Sequence, residues 1–198
     1  IPGMPHVYDQ GQAGSCTANA IAGAVDYERK SQGLGFMIPS RLFIYWGERA
    51  LEGTTASDAG AEIRDGIKVV SKMGVCPETE WPYDISKLTE RPSPNCFADA
   101  VQHKALKYSR VSQSTYYVRH CLGVLKKPIV FGFAVPESFE LEEMAKTGVM
   151  QMPKPGEKIL GGHAVLACGY EDSTQRVKVR NSWGTGWGAA GYFTMPYS

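Results

Sequence analysis

The sequence predicts an α+β fold, with helices gathered in the first half and antiparallel strands in the second. Two observations carry that expectation. Apolar residues recur at helical spacing through 16–30, 41–51 and 61–73, and beyond residue 107 the period changes. There, short runs of β-branched and aromatic residues alternate with turn formers. The 198 residues, 43% of them hydrophobic, suffice to bury a core.

Each element follows from its residues. In 16–30, Ala20, Ile21, Ala24, Val25 and Glu28 fall at helical spacing, and the small side chains imply close packing on both sides. Pro39-Ser40 offers a start for a helix over 41–51, whose apolar surface is Leu42, Ile44, Tyr45 and Trp46, with Gly53 as its stop. Ile63, Ile67, Val70 and Met73 mark a third helix over 61–73, closed by Gly74 in the C′ position. Residues 75–100, rich in Pro, Glu and aromatics, read as a long ordered connector. A short strand is expected at 108–111 and a helix over 115–127, ended by Pro128. Strands at 129–135, 163–170, 177–181 and 191–195 complete an antiparallel set. The expected division is a mainly helical lobe, 1–107, and a mainly β lobe, 108–198, with a cleft between them.

Composition excludes several classes. Lys and Arg number 21 against 20 Asp and Glu, so charge gives no reason to expect a nucleic-acid partner. No apolar run approaches the ~18 residues of a membrane span. Five cysteines leave at least one thiol unpaired within the chain. None makes a C-x-x-C spacing, so no structural metal site is expected. Cys76 and Cys96 flank the connector and stand in a spacing that allows a bridge, whereas Cys121 and Cys168 read as buried thiols. The start at Ile1 shows no targeting pattern and reads as a processed or trimmed end.

Three segments carry chemistry. Cys16 follows Gly14-Ser15 and opens the first helix, where unpaired N–H groups and the helix dipole favour a thiolate. Alone, such a cysteine is more often packing than nucleophile. Gln10, six residues earlier, can aim its amide N–H₂ beside the thiol, and with the Cys16 backbone N–H would form a two-donor oxyanion hole. His163 stands in Gly161-Gly162-His163-Ala164-Val165, and Asn181 opens Asn181-Ser182-Trp183-Gly184-Thr185-Gly186-Trp187-Gly188. A neutral amide can accept from an imidazole N–H and orient it.

Together these segments resemble the papain-like cysteine peptidases. The order Cys, His, Asn matches, with His163 at the ~130–150-residue separation from Cys16 found in that family. Trp81-Pro82-Tyr83 and Gly169-Tyr170 extend the resemblance over nearly the whole chain. It implies a two-lobed α+β fold whose C-terminal lobe is antiparallel and barrel-like. It implies that Cys16 is the nucleophile, His163 the base and then acid, Asn181 its orienting partner, and Gln10 an oxyanion donor. Trp183 would cover the His–Asn hydrogen bond, and Gly60, Ala61, Glu62, Gly162 and Ala164 would line the substrate, with no metal or organic cofactor. A peptide or protein substrate and an inhibitory N-terminal propeptide are the expected partners. Residues 84–107 lack a His-His pair, which favours an endopeptidase.

The sequence also departs from the family. Ala13 stands where a half-cystine usually ties the active-site loop to the helical lobe, and Thr17 and Asn19 replace aromatic residues. Glu62 favours a basic substrate group or is simply a solvated first-turn acid. Two rival readings are a catalytically silent homologue that binds peptides or a partner protein, and a thiol acyltransferase.

Overall fold

The structure, a computed structural model, describes residues 1–105 and 107–197. It divides into two compact units, one formed by 12–110 and the other by 1–11 together with 111–198.

The helical unit is built on α1 (Cys16–Ser31), α2 (Arg41–Glu52) and α3 (Ile63–Lys72). The small residues of α1 are buried on consecutive positions from Thr17 to Gly23, as close packing on both sides requires. Ser40 caps α2 by accepting from the Phe43 N–H at 3.1 Å, and Gly53 closes it in the left-handed conformation. Two glycines set the helix spacing. A Cβ on Gly47 would lie 2.8 Å from Val69 Cγ1, and one on Gly66 would lie 2.1 Å from Glu48 Oε1 and 2.3 Å from Ile21 Cδ1. The connector contains a 3₁₀ turn, Ile85–Lys87, and a short helix α4 (Pro94–Ala100), whose roughly two turns are too short to show a period among the turn formers of 75–100.

Glu48 is fully buried among these helices. Its Oε2 accepts the Thr17 hydroxyl at 2.8 Å, whereas Oε1 has no hydrogen-bond partner among the described residues. Burial pushes its carboxyl well above the usual carboxylate range, Glu52 and Asp65 add to that, and the Thr17 hydrogen bond and Arg49 oppose it. Because the folded state holds this proton more tightly than the unfolded one, its contribution is most favourable below about pH 4 and is lost as pH rises. Glu48→Gln is therefore expected to raise Tm at pH 7 by about 2–6 °C, roughly 1–2 kcal/mol, with the gain shrinking toward pH 4. A thermal-melt series against pH checks it; a gain that grows on acidification would contradict the assignment.

The other unit carries one antiparallel sheet in the order β1 (Ile129–Pro136), β2 (Ile159–Glu171), β3 (Arg176–Arg180) and β4 (Tyr192–Pro196). The barrel-like expectation needs correction: the sheet is open, and four strands are too few to curl round and pair first with last. β2 begins earlier than the sequence suggested, because the Gly161-Gly162 segment pairs with Val135 and Ala134 of β1. No strand forms at 108–111, where Tyr108 is exposed and no partner strand is present among the described residues. Helix α5 (Thr115–Gly123) stops short of 127; Val124 and Leu125, which would continue it, are exposed. A further short helix, α6 (Glu142–Thr147), precedes Gly148. Val135, Phe139, Met144, Met150, Val165, Val179 and Phe193 form the core of this unit.

The first eleven residues are fastened to this sheet. Buried Arg180 donates to the His6 carbonyl and lies 4.4 Å over the Tyr8 ring, and Gly184 N–H donates to the Tyr8 carbonyl at 3.0 Å. A side chain on Gly191 would strike Val7, 2.5 Å away. No helix among the described residues is long and apolar enough to cross a membrane.

Candidate active site

The imidazole group of residues lies within the sheet unit. His163 sits on β2 opposite Phe133 of β1, buried, with its Nε2 2.7 Å from Asn181 Oδ1. The same oxygen accepts the Ser182 N–H at 2.9 Å, which identifies it as the carbonyl end of the amide. Nε2 must then carry the proton, leaving Nδ1 as the basic nitrogen of the neutral ring. Burial pulls the His163 pKa down, and the bond to Asn181 pulls it up.

Trp183 stacks on the imidazole at 4.9 Å between centroids and 28° between planes. It is braced edge-on by Phe139 at 5.5 Å and Trp187 at 5.1 Å, so the aromatic core holds the ring that shields the His–Asn pair.

Gln10 is brought into the same neighbourhood. Its N–H donates to the Ser182 carbonyl at 2.8 Å, and its Oε1 accepts the Ser182 hydroxyl at 2.7 Å. Ser182 thus holds Gln10 by both its backbone and its side chain. Sequence reasoning gave Ser182 no role; its place beside Asn181 was the only signal.

The thiol group of residues lies within the helical unit. Cys16 is the first residue of α1 and half-buried, and Ser15 precedes it without a side-chain cap. Ser15 is fully buried, 2.5 Å from the Tyr83 hydroxyl, and Asn19 Nδ2 donates to its carbonyl and hydroxyl at 2.9 and 3.0 Å. Arg41 lies 3.9 Å over the Tyr83 ring, donates to Asn19 Oδ1 at 3.2 Å, and makes a bidentate pair with Glu78 at 2.9 and 2.7 Å. Polar contacts therefore pack the start of α1. Tyr83 stands in the Trp81-Pro82-Tyr83 segment, whereas no local pattern marked Asn19 as a support.

Gly60, with φ of 73°, and Ala61 are half-exposed, and Glu62 is exposed at the N-cap of α3 without a capping bond of its own. Gly162 is exposed on β2, whereas Ala164 is buried there and alternates to the face opposite His163. All five cysteines are thiols; Cys76, Glu80 and Cys96 bring ligand-type atoms within 4.8 Å of one another. Burial, then Cys96, pushes the Cys76 thiol above its usual range.

A helical unit with a thiol at a helix N-terminus and an antiparallel sheet with a shielded His–Asn pair define a cysteine-protease type of protein. The chain belongs to the papain family of cysteine proteases, whose model matches residues 3–198. An uncharacterised peptidase C1-like protein of Acanthamoeba polyphaga mimivirus is 45% identical over 96% of this chain and 63% of its own length. Thiol protease aleurain of Arabidopsis thaliana is 28% identical over 96% of this chain and 51% of its own. The chain thus spans between half and two thirds of these relatives. The solved structure of xylellain, a cysteine protease from Xylella fastidiosa, is 44% identical and superposes with a TM-score of 0.91 over all of this chain and 77% of that one. The fold is papain-like.

Proposed function

We propose that the chain is a cysteine endopeptidase, and the observation that carries the reading is the His163–Asn181 pair stacked under Trp183. That pair fixes Nε2 as donor and leaves Nδ1 to exchange a proton with a thiol. In this reading Cys16, as thiolate, attacks the scissile carbonyl carbon and forms a C–S bond. The oxyanion is held by the Gln10 amide and the Cys16 backbone N–H. His163 gives its Nδ1 proton to the departing amine, the C–N bond breaks, and a thioester remains. Water, deprotonated by the same nitrogen, then displaces the thiol. Gly60, Ala61, Glu62, Gly162 and Ala164 are proposed to line the substrate, and an inhibitory N-terminal segment belongs to the same reading.

Intact mass after exposure to a peptidyl epoxide tests it, beside a Cys16→Ala control. One adduct on the native chain and none on the control is expected. No adduct on the reduced, folded chain would overturn the peptidase reading in favour of a silent peptide-binding homologue.

A further inference from the structure

The geometry points to Asp58 as a positioning residue that holds the nucleophile's loop in register with the 60–62 wall. This rests on the peptidase reading. Gly14, two residues before Cys16, donates its N–H to both carboxylate oxygens of Asp58, at 2.9 and 3.1 Å. Asp58 Oδ1 also accepts the Tyr45 hydroxyl, and the Tyr45 oxygen in turn accepts the Gly60 N–H at 3.0 Å. One carboxylate and one phenol therefore fasten the loop that carries the thiol and the glycine that opens the candidate substrate wall.

The clamp is itself anchored. Tyr45 is fully buried on α2, and its hydroxyl proton is retained because burial and the Asp58 carboxylate both raise its pKa. Buried Arg49 lies 4.1 Å over the Tyr45 ring and donates to the Ser57 carbonyl at 2.8 Å and the Leu88 carbonyl at 2.6 Å. The guanidinium thus holds the stretch of chain that delivers Asp58. Gly14 permits the approach, since a Cβ there would lie 3.1 Å from Asp58 Oδ1 and 3.4 Å from the Tyr45 oxygen. With Ala13 at the usual half-cystine position, the loop has no covalent tether there, and Asp58 supplies a non-covalent one.

The test compares the native chain with Asp58→Ala, Asp58→Asn and Tyr45→Phe by two readouts. The first is hydrogen exchange at the Gly14 and Gly60 amides, and the second is the second-order rate of Cys16 alkylation by iodoacetamide, a probe too small to need the substrate wall. Asp58→Ala is expected to speed Gly14 exchange about tenfold or more and to slow alkylation about tenfold. Asp58→Asn, which keeps an acceptor, should recover both to within about threefold, and Tyr45→Phe should speed exchange at Gly60. Should Asp58→Ala fail to fold, Gly14→Ala strains the same contact from the other side. Unchanged Gly14 exchange would overturn the clamp; faster exchange with native alkylation would overturn its positioning role. A native thiol that iodoacetamide does not modify would instead overturn the peptidase reading, and amide exchange alone would then decide the clamp.

Discussion

Replacing His163 with alanine is expected to lower kcat/KM for a peptide substrate by about 10³-fold or more, roughly 4 kcal/mol of barrier. The loss is large because, in the proposed mechanism, the imidazole acts twice, on the leaving amine and on the water. Asn181→Ala should cost less, since the proton carrier stays and only its orientation is released. It should also move the alkaline limb of the pH–rate profile to lower pH. The bond from Nε2–H to Asn181 raises the His163 pKa against burial, so removing it lets the imidazolium lose its proton earlier. Steady-state kinetics over pH 4–9 measure both. Equal losses for the two variants, or an alkaline limb that moves up, would contradict the assigned roles.

The largest structural effect is expected at Gly74. It has φ of 87°, and a Cβ there would lie 1.7 Å from the Ala100 carbonyl oxygen and 2.6 Å from its carbon. Both atoms are backbone, so no rotamer change relieves the clash, and the link between α3 and the end of α4 must move. Gly74→Ala should cost about 3–5 kcal/mol and lower Tm by about 10 °C or more. Gly53 is the internal control: its φ is 75°, yet nothing lies within 4 Å of its Cβ position. Gly53→Ala should therefore cost only about 1 kcal/mol of backbone strain. Comparable melting losses in the two variants would show that conformation rather than the clash governs the site.

Gly74 also marks where the sequence could be read and where it could not. Its place after Met73 announces a helix stop, because a left-handed residue after a run of helical period is a local signal. The carbonyl of Ala100 that makes it irreplaceable is a tertiary neighbour, and no local pattern reports it. The same holds at the candidate site. Cys16, His163 and Asn181 stand in short motifs that carry a family resemblance once they are taken together. Asp58, Tyr45 and Asn19, which pack around those motifs, are ordinary residues until folding brings them within 3 Å of their partners. Among the elements, α1–α3 were legible from their period. The early start of β2 was hidden because Gly161 and Gly162 carry no side chains to alternate. Pro128 marks a helix stop in the sequence, but α5 ends earlier, at Gly123. The extra Cβ there would meet the Tyr170 hydroxyl at 2.5 Å.

The fastening of residues 1–11 to the sheet unit has a consequence for synthesis on the ribosome. The helical unit, 12–110, is one continuous stretch, complete once its last residue emerges, and its contacts are largely helical. The sheet unit cannot close until residues 180–182 appear, because Gln10 accepts the Ser182 hydroxyl and the His6 carbonyl accepts from Arg180. A nascent chain therefore presents Cys16 well before His163, Asn181 and the Ser182 that holds Gln10 are made. On the peptidase reading, a chain translated only through the helical unit holds a thiol but no imidazole to activate it.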